Sequence, residues 1–262
     1  MDIDTYLKIR DSLNSSEDVE HVSKDIAQPV GVITAILSQK VVSNVKKTHG
    51  RIKSKSKRHL LEWNRGDTIL NIANRNEIPA TLMASIILKE MGHSKKYINE
   101  MFNDPTNIQE KRLKDEIVQA LNSDYFFSPQ AHQIQTEKGK MGENVIEKWL
   151  NDNNIKYRNE NDLRDSGATK TPDCVLNEPL NIDGTEVSWI ESKALFGDEA
   201  EHKHYSKKQF KYYEEEYGQG MVVYWYGYLD SLTLDGHLIK NYEFFDENSD
   251  DVKTLLDLGC CW

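Results

Sequence analysis

An all-α first half followed by an α/β sandwich around a small mixed sheet is the fold class this 262-residue sequence predicts. Three observations predict it. In the first half, two stretches place apolar residues at helical spacing on both sides of a proline-marked turn. The second half holds two amphipathic helical stretches. Between and after these lie β-prone runs, two of them joined by Asp183–Gly184. The order helix, hairpin, strand, helix, strand is that of helices packed on a mixed sheet.

The first-half pattern repeats. Residues 22–40 place Ile26–Ala27 before a turn at Pro29, then Val32, Ile33, Ile36 and Leu37. Residues 68–90 place Ile72–Ala73 before a turn at Ile78–Pro79, then Leu82, Ile86 and Ile87. Each predicts a short helix, a tight turn and a second amphipathic helix, the layout of a helix-turn-helix. Proline suits the start of the second helix. A plain helical bundle carries the same pattern, so the pattern alone leaves both open. Residues 95–135 read as less regular helix, and the domain boundary is expected near residue 130.

Residues 139–151 then carry Met141, Val145 and Trp149 beside Ile146 and Leu150, one face of an amphipathic helix. Asp183–Gly184 between β-prone runs predicts a two-residue hairpin. A helix is expected over about 202–217, ended by Gly218. The run "GMVVYWYGYL" reads as a buried strand, Trp225 included, rather than a base-stacking platform.

No run of about 18 apolar residues occurs, so no membrane span is expected. The opening "MDIDTYLKIR" has no secretory pattern. Three cysteines, with Cys260 and Cys261 adjacent, make neither a disulfide framework nor a zinc pattern. An intracellular, reducing location is expected, cytoplasmic for an archaeal source and nuclear or cytoplasmic for a eukaryotic one.

The net charge of −10 argues against a nucleic-acid partner only until the chain is divided. Residues 1–130 carry 19 Lys and Arg against 17 Asp and Glu, whereas the remainder carries 14 against 26. Residues 40–65 hold nine cations (Lys40, Lys46, Lys47, Arg51, Lys53, Lys55, Lys57, Arg58, Arg65) against Glu62 alone. Such a stripe can engage phosphates whatever the global sum. A solvated connecting segment has the same composition.

One strand carries charges where apolar residues ordinarily continue. From Val187 to Ala194, one face holds Val187, Trp189, Glu191 and Lys193, and the other Ser188, Ile190, Ser192 and Ala194. Two charges continuing a Val–Trp face are costly to desolvate unless paired or coordinating an ion. Pro172 belongs at a strand start. The hairpin then returns Asp173 to the end of the second strand, beside Glu191 and Lys193. Carboxylates so gathered suit Mg²⁺, and a lysine beside them suits phosphodiester hydrolysis. An ion pair at a strand mouth, with Asp173 a turn residue, is the other reading.

Pro172-Asp173 followed by Glu191-Ser192-Lys193 resembles the PD-(D/E)xK signature of restriction-endonuclease-like nucleases. With "LRDSGATKTPD", "WIESKALFGDE", "VVYWYG", "SQKVVSNVKKTHGR" and "IANRNEIPATLMASIILKE", nearly the full length resembles the TPD-motif family of such nucleases, which has eukaryotic and archaeal members. The resemblance implies a helix-turn-helix-like nucleic-acid-binding domain over 1–130 and a restriction-endonuclease-like α/β/α core over 131–262. It implies a Mg²⁺-dependent DNA endonuclease, with Mn²⁺ substituting. Its DNA would be duplex, single-stranded or branched, and a protein partner is also implied. Asp173 and Glu191 would be metal ligands, the Ser192 carbonyl a third, and Glu143 a ligand directly or through water. Lys193 would position the nucleophile, and Gln209 and Tyr213 would hold DNA phosphate or brace Lys193. Lys46, Lys47, Arg51, Lys53, Lys55, Lys57 and Arg58 would contact the nucleic acid.

Other readings stay beside these. A tyrosine ridge on a helix is often core, which applies to Tyr213. His202 and His204, two apart on a helix, are expected at the surface. A protein that keeps the nuclease fold but binds a partner without turnover is the alternative function. The acidic stretch after Leu229 has no reading.

Overall fold

The computed structural model describes residues 1–234, 237–245 and 249–258. They form two compact units, Met1–Leu37 with Thr136–Trp262, and Ser38–Gln135. In chain order the elements begin with α1 (Ile3–Ser12), α2 (Val19–Ile26) and the 24-residue α3 (Val30–Lys53). There follow α4 (Ser56–Asn64), α5 (Ile69–Arg75), α6 (Ala80–Glu90), α7 (Lys95–Asn103) and α8 (Lys111–Asn122). Next come α9 (Pro129–Asp152), β1 (Tyr157–Asn159), α10 (Glu160–Asp165), β2 (Cys174–Ile182) and β3 (Thr185–Lys193). The chain continues through α11 (Glu199–Tyr205), a π-helical segment (Ser206–Phe210), α12 (Lys211–Tyr217), β4 (Gly220–Tyr224), β5 (Leu238–Lys240) and α13 (Asp250–Asp257).

The unit built on the sheet has five strands in the order β1-β2-β3-β4-β5. The β1–β2 and β2–β3 pairs are antiparallel, and β3–β4 and β4–β5 parallel. The expected hairpin is present: Ile182 pairs Thr185, with Asp183 at φ 49° and Gly184 at φ 84°. Two left-handed residues in a two-residue loop match the twist of the strands. Register slips between Val175 and Leu180, where Pro179 has no N–H to give a ladder. Every residue of β4 is buried, as its unbroken apolar run predicts. Trp189 on one face of β3 packs against Phe210 and Tyr213. On the other face, Ser192 lies against α9 at Gly142. Helices therefore cover both faces of the sheet.

Residues 1–37 pack with this sheet, whereas the sequence places them in a helical domain ending near residue 130. Burial is the reason. Ile9 and Leu13 are fully buried, the Tyr6 ring stacks on Phe196 at 5.4 Å, and the Met1 ammonium donates to the Tyr228 carbonyl at 2.8 Å. The acidic stretch after Leu229 supplies β5 and α13. Val252 and Leu255 of α13 are buried, and the Tyr226 hydroxyl donates to the Leu255 carbonyl at 2.9 Å.

The unit Ser38–Gln135 is helical. Trp63, Ile69, Ile72, Met83, Ile87 and Ile117 lie in its core. Buried Glu116 accepts from the Trp63 indole at 3.0 Å and the Ile69 N–H at 2.8 Å, and Arg112 neutralises it at 2.8 Å. The repeat read in the sequence has a backbone counterpart. Ala27 (φ 53°) and Glu77 (φ 52°) adopt the left-handed conformation, and each stands two residues before the proline that precedes the second helix. The pair α2–α3 begins in the sheet unit, however, and α5–α6 belongs to the helical one. Among the described residues no helix is long and apolar enough to cross a membrane. Cys174 is a free, buried thiol; Cys260 and Cys261 lie outside the described residues.

Candidate active site

The hairpin makes the site. Cys174 pairs Ile190 across the antiparallel ladder, so one residue further Asp173 stands opposite Glu191. The Ser192 N–H donates to Asp173 Oδ2 at 2.6 Å. In an extended strand a residue's N–H and C=O point to the same edge. The Ser192 carbonyl therefore points to the edge that Asp173 occupies. Lys193 follows on the Glu191 face, and its ammonium donates to Glu191 Oε1 at 2.5 Å. The same ammonium lies 4.5 Å from the centroid of the Tyr205 ring, a cation–π contact that holds the amine from above.

Electrostatically the site is short of positive charge. Glu191 is buried at 3% exposure, and its Oε2 has no hydrogen-bond partner. Burial raises the Glu191 carboxyl above its usual range, with Lys193 opposing. Asp173 is held well above the usual carboxylate range, first by burial and then by the Glu191 charge. Two like charges, Glu191 buried and Asp173 half-buried, share one ammonium, an arrangement that calls for a proton or a further cation.

Other side chains hold this frame. The Tyr213 hydroxyl donates to the Thr171 carbonyl at 2.8 Å, bracing the segment that carries Asp173. Tyr213 is 1% exposed and stacks edge-on against Trp189 at 5.3 Å, so it is core and brace together. Gln209 lies in the π-helical segment, one turn from Tyr213, and its Oε1 is buried without a partner. The Trp225 indole donates to Ser192 Oγ at 2.8 Å. Gly142 of α9 permits this: a Cβ there would lie 2.3 Å from the indole nitrogen and 2.8 Å from Ser192 Oγ.

Glu143, next along α9, pairs with Lys140 at 3.7 Å, and its charge still acts on Asp173. Among the described residues no three Asp, Glu, His or Cys side chains converge as a metal-holding group. The three-acid convergence expected from the sequence is thus a pair, Asp173 with Glu191, and Glu143 at its edge. The reason is that Glu143 has a cation one turn away on its own helix. The pair and the Ser192 carbonyl remain hard oxygen donors, and the orphaned Glu191 Oε2 is the atom a divalent cation would satisfy.

A family model described as a protein of unknown function with the TPD sequence motif matches residues 109–243. That span holds Thr171, Pro172, Asp173, Glu191 and Lys193. The chain is 32% identical over 233 residues to the human CDAN1-interacting nuclease 1, covering 82% of this chain and 83% of that protein. The mouse protein of that name is 33% identical over 233 residues, with the same coverage. The Xenopus laevis protein is 32% identical over 253 residues, covering 89% and 81%. The chain belongs to the TPD-motif family. No solved structure matches it.

In this TPD-family chain several site neighbours escape sequence reasoning. Tyr205 over Lys193 is one. Glu160, at the start of α10, is another: it accepts from Thr171 Oγ1 at 3.2 Å and from Arg164 at 2.5 Å. The first helical turn and its capping box at Asn159 were the only local signals. His202 corrects an expectation. It is 2% exposed, its Nδ1 lies 2.9 Å from the Tyr224 hydroxyl, and its ring packs on Phe210. The helix that carries it lies against the sheet, so the face it occupies is core. His204 is exposed, as expected.

The basic stripe lies on α3, α4 and the turn between them. Lys46, Lys47, Arg51, Lys53, Lys55, Lys57 and Arg58 are all exposed. Arg58 pairs with Glu62 at 2.8 Å. The stripe is therefore ordered helix rather than a connecting segment.

Proposed function

We propose that this chain is a Mg²⁺-dependent DNA endonuclease with a restriction-endonuclease-like, PD-(D/E)xK site, and that the Ser38–Gln135 unit carries a helix-turn-helix-like surface for the nucleic acid. The observation that carries the reading is Asp173 opposite Glu191, with Lys193 between Glu191 and Tyr205 and one buried glutamate oxygen unpartnered. The nuclease names of the family's relatives support it. Charge supports the second half. Ser38–Gln135 carries sixteen Lys and Arg against ten Asp and Glu, a net +6, in a chain of net −10.

Asp173, Glu191 and the Ser192 carbonyl would hold the cation, with Glu143 nearby. When bound, Mg²⁺ supplies Lewis acidity to the scissile phosphate. The chain's own groups do the rest. Lys193 donates a hydrogen bond to the attacking water and offsets charge growing on the phosphoryl oxygens. The water oxygen bonds to phosphorus and gives up a proton to solvent as the bond to the leaving sugar oxygen breaks, and that oxygen takes a proton from solvent to leave as a hydroxyl. Ser192 N–H keeps Asp173 in place, and Tyr213, through Thr171, keeps the Asp173 segment against the sheet.

The test is cleavage of supercoiled plasmid, fork and flap DNA by the full chain, with Mg²⁺ and with EDTA. Asp173→Asn and Lys193→Ala are expected to abolish cutting while nucleic-acid binding persists. Cutting that survives in both variants overturns the reading.

A second reading has its own support. Lys193 already saturates one Glu191 oxygen, no third acid among the described residues joins the pair, and the relatives' name includes a protein interaction. A chain that binds partners without turnover would cut none of the substrates under any metal.

A further inference from the structure

The helical unit contains a cavity of about 300 Å³ lined by Arg51, Ile52, Lys55, Arg75, Asn76 and Glu77. It lies where the end of α3 and the α3–α4 turn meet the α5–α6 turn. We infer that it is a discrete binding site for one backbone phosphate of a nucleic acid, seated by Arg51, Lys55 and Arg75. This rests on the nucleic-acid part of the proposed function and adds a defined site to a diffuse basic surface.

Chemistry selects the ligand. Arg51, Lys55 and Arg75 line the walls beside one carboxylate, Glu77; Arg75 is already paired with Asp67 and Glu62, so Arg51 and Lys55 supply the unneutralised charge that favours an anion. Arg75 is already aimed. Its Nη2 donates to Asp67 at 2.5 Å and to Glu62 at 3.4 Å, leaving other N–H donors of its five free. A guanidinium anchored on one side presents a fork at little further entropic cost. Arg51 and Lys55 are exposed, and among the described residues neither has a carboxylate within ion-pair distance. Arg51 lies in the last turn of α3, and Lys55 immediately precedes α4. Buried Ile52 forms the floor between them.

The surroundings select a polymer. Lys47 lies one helical turn before Arg51 on the same side of α3, and Lys53 and Lys57 flank Lys55. All are exposed. A lone phosphate would have no use for this continuation, whereas a strand of phosphates would. The α5–α6 turn holds Glu77 in the left-handed conformation at φ 52°. That sharp turn brings Arg75 and Asn76 to the cavity beside the end of α3. The site therefore makes the turn of the second helix-turn-helix repeat a phosphate contact.

The experiment is fluorescence anisotropy of a labelled DNA duplex and a labelled single strand with the full chain in EDTA, over a range of KCl. Arg51→Ala with Lys55→Ala is compared with Lys95→Ala and Lys96→Ala, which remove the same charge from α7 of the same unit. The cavity pair is expected to weaken binding at least tenfold and to flatten the salt dependence. The α7 pair is expected to weaken it less than threefold. Equal losses in the two pairs, or no loss in the cavity pair, overturn the proposal. Arg75→Lys, which keeps charge and loses the fork, is expected to weaken binding several-fold, and unchanged binding counts against the site. No cleavage enters the readout, so an inactive nuclease centre leaves this result standing.

Discussion

The Tyr213 hydroxyl and the Thr171 carbonyl, 42 residues apart in sequence, meet at 2.8 Å beneath the Asp173 segment. Tyr213→Phe deletes that donor and leaves the ring packed on Trp189. The hydrogen bond contributes about 0.5–1.5 kcal/mol, so the urea midpoint is expected to fall modestly. If the bond positions Asp173, turnover falls about tenfold or more while nucleic-acid affinity stays the same. A stability loss with turnover unchanged would make Tyr213 core alone.

Lys193 and Glu191 form a largely buried pair, with side chains 13% and 4% exposed. Lys193→Ala strands a buried carboxylate and is expected to cost about 3–5 kcal/mol by chemical denaturation. Combining Glu191→Gln with Lys193→Met removes both charges and is expected to recover most of that loss. Mg²⁺ should raise the melting temperature of the Lys193→Ala variant more than that of wild type, because it would satisfy the stranded oxygens. Failure of the double variant to recover would remove charge burial as the cause.

Asp173 binds its proton more tightly folded than unfolded, since burial and the Glu191 charge raise its carboxyl. A raised folded value means this site stabilises most below the ordinary carboxylate range and loses that contribution as pH climbs toward the raised value. Asp173→Asn cannot ionise. Its unfolding free energy is therefore expected to fall less between pH 4 and pH 8 than that of wild type, in urea titrations without metal. Divalent cation should flatten the wild-type profile as well. Parallel profiles in wild type and variant would contradict the assignment.

Two glycines of α9 separate close packing from helix propensity. Gly139→Ala meets nothing within 4 Å, so it is expected to stabilise by up to about 1 kcal/mol. Gly142→Ala gains the same propensity but collides with Trp225 and Ser192. Overpacking costs about 1–3 kcal/mol, and both neighbours are tied by a hydrogen bond, so the net effect is expected to be destabilising. Paired thermal melts with tryptophan fluorescence decide it.

Much of the site was legible because its parts lie on one hairpin. Pro172 marks the strand start, Asp183–Gly184 sets a two-residue loop, and period-2 alternation puts Glu191 and Lys193 on one face. Register then sets Asp173 opposite Glu191 with little freedom left. Glu143 was legible as a helix position only. Whether it meets the pair depends on competition from Lys140, which strand and helix periodicity do not address. His202 was misread because two residues on a helix look equivalent until a sheet covers one of them.

Local chemistry alone left β1, α10, β5 and α13 open but settled the central run of helix, hairpin, helix and buried strand, the two turns before proline and the charge of the basic stripe. These depend on side-chain period and backbone dihedrals within a few residues. The packing of residues 1–37 against the sheet, Tyr205 over Lys193, and the cavity between Arg51, Lys55 and Arg75 were decided by tertiary structure. Each joins surfaces whose fit depends on volumes and charges far apart in the chain, and no short stretch of sequence holds both halves of such a contact.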